Sequence, residues 1–373
     1  MMLRVEIVQD PRRFHDLGFA WQELWGRAEA GQFQRFDWIS AWWRAAGQAD
    51  GHRLHVALAW QGSELVAVAP LIIRRHRGMR VLEWAAKDCS DYCDVILAPG
   101  HDKMELLALL WGHVSSTGQF DIAYLSHVHP MANTHSFAVA DRKRAVKLRA
   151  SHRTTVSSFI HLREWAKGQA WFHSLGRNAR KTHLRGWRIL EAAGKVAFRL
   201  VEGEEDIRRS LDQLCALKQS WLTERQLSTP VLRDDAALLR ELVWTLARAG
   251  RLRLFVLECD GKIVAASINI LENDCLLAFI AAYDPAFERA SPGMILMVEY
   301  IRWSIDNGLA KVDFLCGDEG YKERFAVTRV ELASFTGSRT LAGWVVLQAE
   351  SWAASKKRRE PQAVLPGSAE LAQ

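Results

Sequence analysis

Chemistry-bearing side chains crowd the stretch Lys311-Val-Asp-Phe-Leu-Cys-Gly-Asp-Glu-Gly-Tyr-Lys-Glu-Arg-Phe325. Its first part, Val312 to Leu315, reads as a short buried strand that stops at Gly317. Asp318, Glu319, Tyr321, Lys322 and Arg324 follow at once. A buried strand that stops at glycine and releases acid, phenol and amine together reads as an active-site rim, because ligands of open α/β sheets gather at the carboxyl ends of strands. The competing reading is a solvated turn, with Asp318 as a helix cap and Lys322 as a surface amine.

A second stretch, Arg289-Ala-Ser-Pro-Gly-Met294, stands between a strand over 276–283 and an amphipathic helix carrying Ile295, Leu296, Val298 and Ile301. Small residues entering a helix offer unpaired N–H groups and the positive end of its dipole, an anion site suited to a diphosphate. Proline in the first turn fits its fixed φ and missing donor. The expected order is strand, phosphate-type loop, helix, strand, acidic corner.

The elements that must position these groups recur along the chain. Helices are expected over 13–30 and from Asp37, which would cap the second. Strands follow over 54–58 and 65–73 as a hairpin, and over 81–84 and 92–97 as a pair. A helix over 102–116 and a strand over 120–125 complete the first half. In the second half, helices over 204–225 and 234–249 lead into strands over 252–258, 263–271 and 275–283, a helix over 293–307, and the strand at Val312. Letters agree as well as order: Leu65-Val-Ala-Val parallels Ile263-Val-Ala-Ala, and Phe120-Asp-Ile-Ala-Tyr-Leu parallels Ala310-Lys-Val-Asp-Phe-Leu. The expected fold is α/β with a mixed sheet, built as two copies of one domain. A basic helix near 166–191 carries Arg177, Arg180, Lys181, Arg185 and Arg188. It reads as a solvated face or as a collar for a phosphate-bearing ligand.

Composition fits this picture. The chain has 373 residues, 49% apolar and 25% charged, the balance of a globular protein long enough for two domains. No run approaches the roughly 18 apolar residues that cross a bilayer, and charged residues interrupt the N-terminal apolar runs, so a cytoplasmic location is expected. The six cysteines lack zinc-finger spacing and read as thiols. A net charge of +6 suits an anionic ligand without arguing for nucleic acid. Most of the sixteen tryptophans are expected in the core or lining a groove.

With these motifs in view, the sequence resembles the GNAT superfamily of acyl-CoA-dependent N-acyltransferases. Asp313-Phe-Leu-Cys-Gly-Asp-Glu-Gly-Tyr-Lys322, following Ala281-Ala-Tyr-Asp-Pro-Ala-Phe287 and Ser291-Pro-Gly293, resembles its cellulose-biosynthesis-type branch. That branch is similar in architecture to the Fem-type aminoacyltransferases. The resemblance implies two tandem GNAT-like domains, a degenerate one over 1–163 and an acyl-CoA-binding one over 164–350. The basic and polar residues from Lys356 onward make a disordered tail, over 351–373, the expectation there. The resemblance also implies acyl-CoA, such as acetyl-CoA, as co-substrate, with Arg289, Ser291, Gly293, Met294 and Lys322 as its contacts. The pantetheine arm would run along the strand ending at Tyr283. An amine acceptor, such as an amino sugar, would attack the thioester where two parallel strands splay, with Glu319 or Asp318 as base and Tyr321 or Tyr283 as acid. No metal is implied. In the first half Ser126-His-Val-His129 replaces the acidic motif and 94–101 replaces the phosphate loop, so that half is expected to shape the acceptor groove. Two alternatives stand beside this: an aminoacyl-tRNA donor, and a non-catalytic saccharide- or partner-binding module.

Overall fold

The computed structural model describes residues 3–140, 144–325 and 327–359. Residues up to Thr155, joined by those from Glu331 onward, form one compact unit, and Val156–Val330 form a second. The chain runs in order through β1 (Leu3–Val8), α1 (Pro11–His15), α2 (Gly18–Arg27), α3 (Phe36–Trp42), β2 (Arg53–Leu54), β3 (Val56–Gln61), β4 (Glu64–Ala69), β5 (Leu71–His76), β6 (Met79–Trp84), β7 (Ile96–Leu97), α4 (Lys103–Ser116), β8 (Ile122–Val128), α5 (Asn133–Val139) and β9 (Arg149–Ala150). It continues through β10 (Thr155–His161), α6 (Gly168–Ser174), α7 (Arg177–Ala193), β11 (Val196–Leu200), α8 (Glu204–Glu224), α9 (Arg233–Arg248), β12 (Leu252–Cys259), β13 (Lys262–Glu272), β14 (Cys275–Tyr283), α10 (Pro292–Asp306), β15 (Lys311–Cys316), β16 (Thr328–Ser338) and α11 (Leu341–Arg359).

The first unit holds two sheets, β1-β3-β4-β7 and β16-β8-β6-β5-β2. The apolar run Leu65–Ile73 is therefore not one strand. Pro70 has no N–H for a ladder, and β4 ends before it while β5 begins after it in the other sheet. The expected pairing of 81–84 with 92–97 gives way for the same reason. β6 forms a hairpin with β5, closed by Arg77 and Gly78 at positive φ, and β7 pairs with β4. Asp37 lies inside the first turn of α3 and not at its cap, and its carboxylate accepts from the Trp38 N–H and from Arg35. The helix expected over 13–30 is interrupted at Asp16 and Leu17, between α1 and α2. Trp21, Trp38 and Trp84 are fully buried.

One parallel contact joins β6 to β8 across α4, through Val81↔Ile122 and Leu82↔Ala123. His55 is buried in this unit, held by Gln9 at 3.2 Å and Thr117 at 3.4 Å. Burial, reinforced by Arg53, pushes its pKa down to about 4. The unfolded ring titrates near 6.5 and so takes up its proton first as pH falls. This stabilisation is complete above about pH 6.5 and is lost down to about pH 4, roughly 3 kcal/mol in all. Thermal unfolding across that range should show it, and His55→Gln should flatten the profile.

The second unit carries one sheet, β11-β12-β13-β14-β15-β10. Residues Leu254–Leu257 and Ile263–Ile270 are buried continuously, as strands covered on both faces require. Phe255 and Leu257 of β12 pack with Ile295, Leu296 and Ile301 of α10 and with Leu190 of α7. By alternation Leu254 and Val256 point the other way, toward the side where α8 and α9 contact the sheet. The basic helix expected over 166–191 is two helices, broken at Leu175 and Gly176, so α7 begins anew at Arg177.

Two further expectations are corrected. The boundary at 350 does not hold, because the chain from Glu331 packs with the first unit, where β16 pairs with β8. The tail expected over 351–373 is helical as far as Arg359, and the rest of it lies outside the described residues. Among the described residues no helix is long and apolar enough to cross a membrane. All six cysteines are thiols, five of them buried.

Candidate active site

Two strands of the second unit run parallel for only three pairs, Cys275↔Lys311, Leu276↔Val312 and Leu277↔Asp313. Past Leu277, β14 leans to its other neighbour. Ala278 and Ile280 face the successive β13 residues Asn269 and Ile268, so Phe279 is an extra residue, a bulge that bends β14. β15 meanwhile follows β10, pairing Asp313 with Phe159 and Cys316 with Ser157. A wedge thus opens between Ala278–Tyr283 and Phe314–Cys316. Backbone N–H and C=O groups along such an opening are available to an extended ligand.

The N-terminus of α10 stands beside the end of β14. Asp284 caps the 3-10 turn Pro285–Ala290 by accepting from the Ala286 N–H at 2.9 Å. Ser291 then turns left-handed (φ 52°) and starts α10 without a side-chain cap bond. Its carbonyl takes the N–H groups of Met294 (3.0 Å) and Ile295 (3.1 Å). Pro292 has no donor, so the first N–H that the helix offers is that of Gly293. A β-carbon there would sit 3.5 Å from Tyr283, which joins the phosphate-type loop to the wedge.

A second helix start converges on this one. Gly186 of α7 lies so close to the loop that a β-carbon would come within 2.1 Å of the Ala290 carbonyl oxygen. This contact seats the middle of α7 against the loop, and the helix start lies at a cleft beside that loop. The cleft, of about 870 Å³, is lined by Gly176, Arg177, Asn178, Ala179, Thr182, Arg185, Arg289, Ser291 and Arg324. Four guanidinium groups and two helix N-termini face one space, an arrangement that attracts phosphate. Of the expected basic collar, Arg177 and Arg185 line the cleft, while Arg180, Lys181 and Arg188 are not among its lining residues.

At the tip of β15 the acidic corner is divided between different cations. Leu315 and Gly317 both have positive φ, 57° and 130°, a strained conformation for leucine. Asp318 is exposed and bound to Arg329, which also pairs with Glu323 at 2.9 Å. Glu319 pairs with Lys322 at 2.8 Å. The two neighbouring carboxylates therefore do not face each other. Lys322 is 3% exposed and donates to the carbonyls of Gly317 (3.1 Å) and Cys316 (3.4 Å). It is a buried clasp for the strand end, not a lining residue of the cleft as its cofactor-binding assignment expects. Lys322→Met should remove about 2 kcal/mol of stability by orphaning two carbonyls and a half-exposed carboxylate. Urea unfolding followed by tryptophan fluorescence would show an earlier midpoint, and an unchanged midpoint would contradict the clasp.

Burial raises the pKa of Tyr321 strongly, with Glu319 adding to it, and that of Tyr283 more modestly, with Glu288 adding to it. Both phenols therefore stay protonated at neutral pH. One group escaped the sequence reading altogether. Lys218 of α8 is close enough to Glu319 to feel its charge, although burial outweighs it and lowers the lysine pKa. Its signal, one lysine on a long amphipathic helix, does not stand out from any other. Met294 is half-buried against the core around α10, and its N–H is already bonded to Ser291.

Residues 177–323 match the profile of the acetyltransferase (GNAT) domain. Among solved structures, FemX resembles the chain with a TM-score of 0.54 at 10% identity, over 92% of this chain and 99% of that one. A tandem GNAT protein from the clavulanic acid biosynthesis pathway gives 0.54 at 11% identity, over 90% and 99%. The fold is tandem GNAT. A conserved protein of unknown function from Bacteroides thetaiotaomicron shares it, at 0.51 and 10% identity over 90% and 99%. No curated protein matches the sequence.

The tandem GNAT fold explains the internal echo in the letters. The β3–β4 and β12–β13 hairpins correspond, and each unit has one short parallel contact bridged by a helix. Asp94 accepts from the N–H groups of Asn133 and Thr134 and from the Thr134 hydroxyl. His127 bonds the Ser90 carbonyl, and His129 accepts from the Met131 N–H. Among the described residues no cluster of three or more His, Cys, Asp or Glu side chains is placed to hold a metal.

Proposed function

We propose that the second unit is an acyl-CoA-dependent N-acyltransferase. The observation that carries this reading is the wedge between β14 and β15, open beyond Leu277 and bordered by the arginine-lined cleft. The cleft suits the phosphates of a nucleotide-tailed thioester, with Arg289, Arg177 and Arg185 as cations and the Gly293 N–H as donor. The wedge suits the pantetheine arm along Ala278–Tyr283, with a backbone N–H of β14 polarising the carbonyl. An acceptor amine would attack that carbonyl. The nitrogen loses a proton, through water, to Glu319; the C–S bond breaks; the departing thiolate takes a proton from Tyr283 or Tyr321. The acceptor class, an amino sugar or cell-envelope precursor, rests on the wording of Asp313–Lys322 alone.

Titration with acetyl-CoA and longer acyl-CoAs tests the donor, followed by mass spectrometry of mixtures with amines. Saturable binding and an acylated amine are expected. No binding of any acyl-CoA would overturn the reading.

A second reading keeps the fold and changes the donor to aminoacyl-tRNA. It is favoured by the likeness to FemX over nearly the whole chain and by the basic start of α7. Under it, tRNA binding should fall steeply with salt while acyl-CoA does not bind.

A further inference from the structure

Helix α11 leaves one face wet that its sequence would be expected to bury. Its start is anchored: the Gly343 N–H donates to the Thr340 hydroxyl at 3.1 Å, and a β-carbon on Gly343 would come within 2.4 Å of the Asp121 carbonyl. From there Leu341, Trp344, Val345 and Trp352 are 78%, 48%, 52% and 69% exposed. Positions 341, 344, 345 and 352, with Gln348 between them, recur at spacings of three, four and seven and so form one stripe along the helix. Two tryptophans and two aliphatic side chains in a row are more than scattered surface apolar residues.

The surroundings of this stripe are cationic. A groove of about 680 Å³ runs beside α11, and Arg144, Lys147, Arg149 and His152 share its lining with Trp344. Glu350, the acid among its lining residues, pairs with Arg153 at 3.6 Å. An apolar, aromatic stripe bordered by cations complements a surface that is apolar beneath and anionic on top. Tryptophan favours that boundary because its ring is amphipathic. A second copy of the chain fits less well, since it would bring two cationic borders together.

We propose that α11 rests on an anionic phospholipid bilayer, with Trp344 and Trp352 among the headgroups and the adjoining basic groove on lipid phosphate. This does not depend on the acyltransferase reading. Co-sedimentation of the full-length protein with phosphatidylcholine vesicles, and with vesicles containing 30% phosphatidylglycerol as roughly the charge of an acidic membrane, tests it. Binding to the anionic vesicles should exceed binding to the neutral ones at least about tenfold and weaken in high salt. The double variant W344A/W352A should lose about tenfold, and R149E, on an exposed strand residue, several-fold, with unfolding midpoints unchanged. Equal binding to both vesicle types, no binding to either, or wild-type binding by both variants would overturn the proposal. So would sedimentation velocity showing a dimer that W344A/W352A abolishes, without vesicle binding.

Discussion

Alanine at both Arg185 and Arg289 should weaken acyl-CoA binding about a hundredfold while leaving the protein folded. Both guanidinium groups line the cleft, Arg185 from within α7 and Arg289 from the turn before α10. A charge-assisted hydrogen bond to phosphate is worth about 1.5 kcal/mol or more at a partly solvated site. Each arginine then accounts for roughly tenfold in affinity. Isothermal titration at two salt concentrations checks this, and the variant should also show a shallower salt dependence. Wild-type affinity in the double variant would mean that the phosphates sit elsewhere.

The second large effect is expected from a single methyl group. Gly186→Ala puts a β-carbon 2.1 Å from the Ala290 carbonyl oxygen, a backbone atom that cannot rotate away. Either α7 or the loop before α10 must move. Overpacking of this kind costs about 3 kcal/mol. Because Arg177 and Arg185 travel with α7, acyl-CoA affinity should fall more than tenfold as well. Gly26→Ala in α2 is the contrast. Its β-carbon meets nothing within 4 Å, and alanine in a helix should add about 0.5–1 kcal/mol of stability. Chemical unfolding of the two variants should therefore move in opposite directions. A Gly186→Ala protein as stable as wild type would refute the close packing of α7 on the loop.

The residues around α10 were legible in sequence because each signal there is local. Alternation marks β12, β13 and β14, helical spacing marks α10, and Ser291-Pro-Gly293 marks its start. The tandem repeat was legible for the same reason, as hairpins that recur in order. What escaped depends on neighbours distant in the chain. Pro70 moves β5 into a different sheet from β4, and the pairing that decides this lies with β6 and β7. β16 returns to β8, a partner some two hundred residues earlier, so the unit boundary cannot be read from composition. Lys322 looks like any exposed lysine until the carbonyls of Cys316 and Gly317 are seen around it. Arg177 and Arg185 were visible as charge, but only the glycine contact at Ala290 aims them at Arg289.

Crystals of the protein grown with acetyl-CoA test the central claim most directly. The diphosphate should lie against Arg289, Arg185 and the Gly293 N–H, and the thioester carbonyl between β14 and β15, within reach of Tyr283. Density for the cofactor outside the wedge, or a diphosphate bound away from the start of α10, would contradict it.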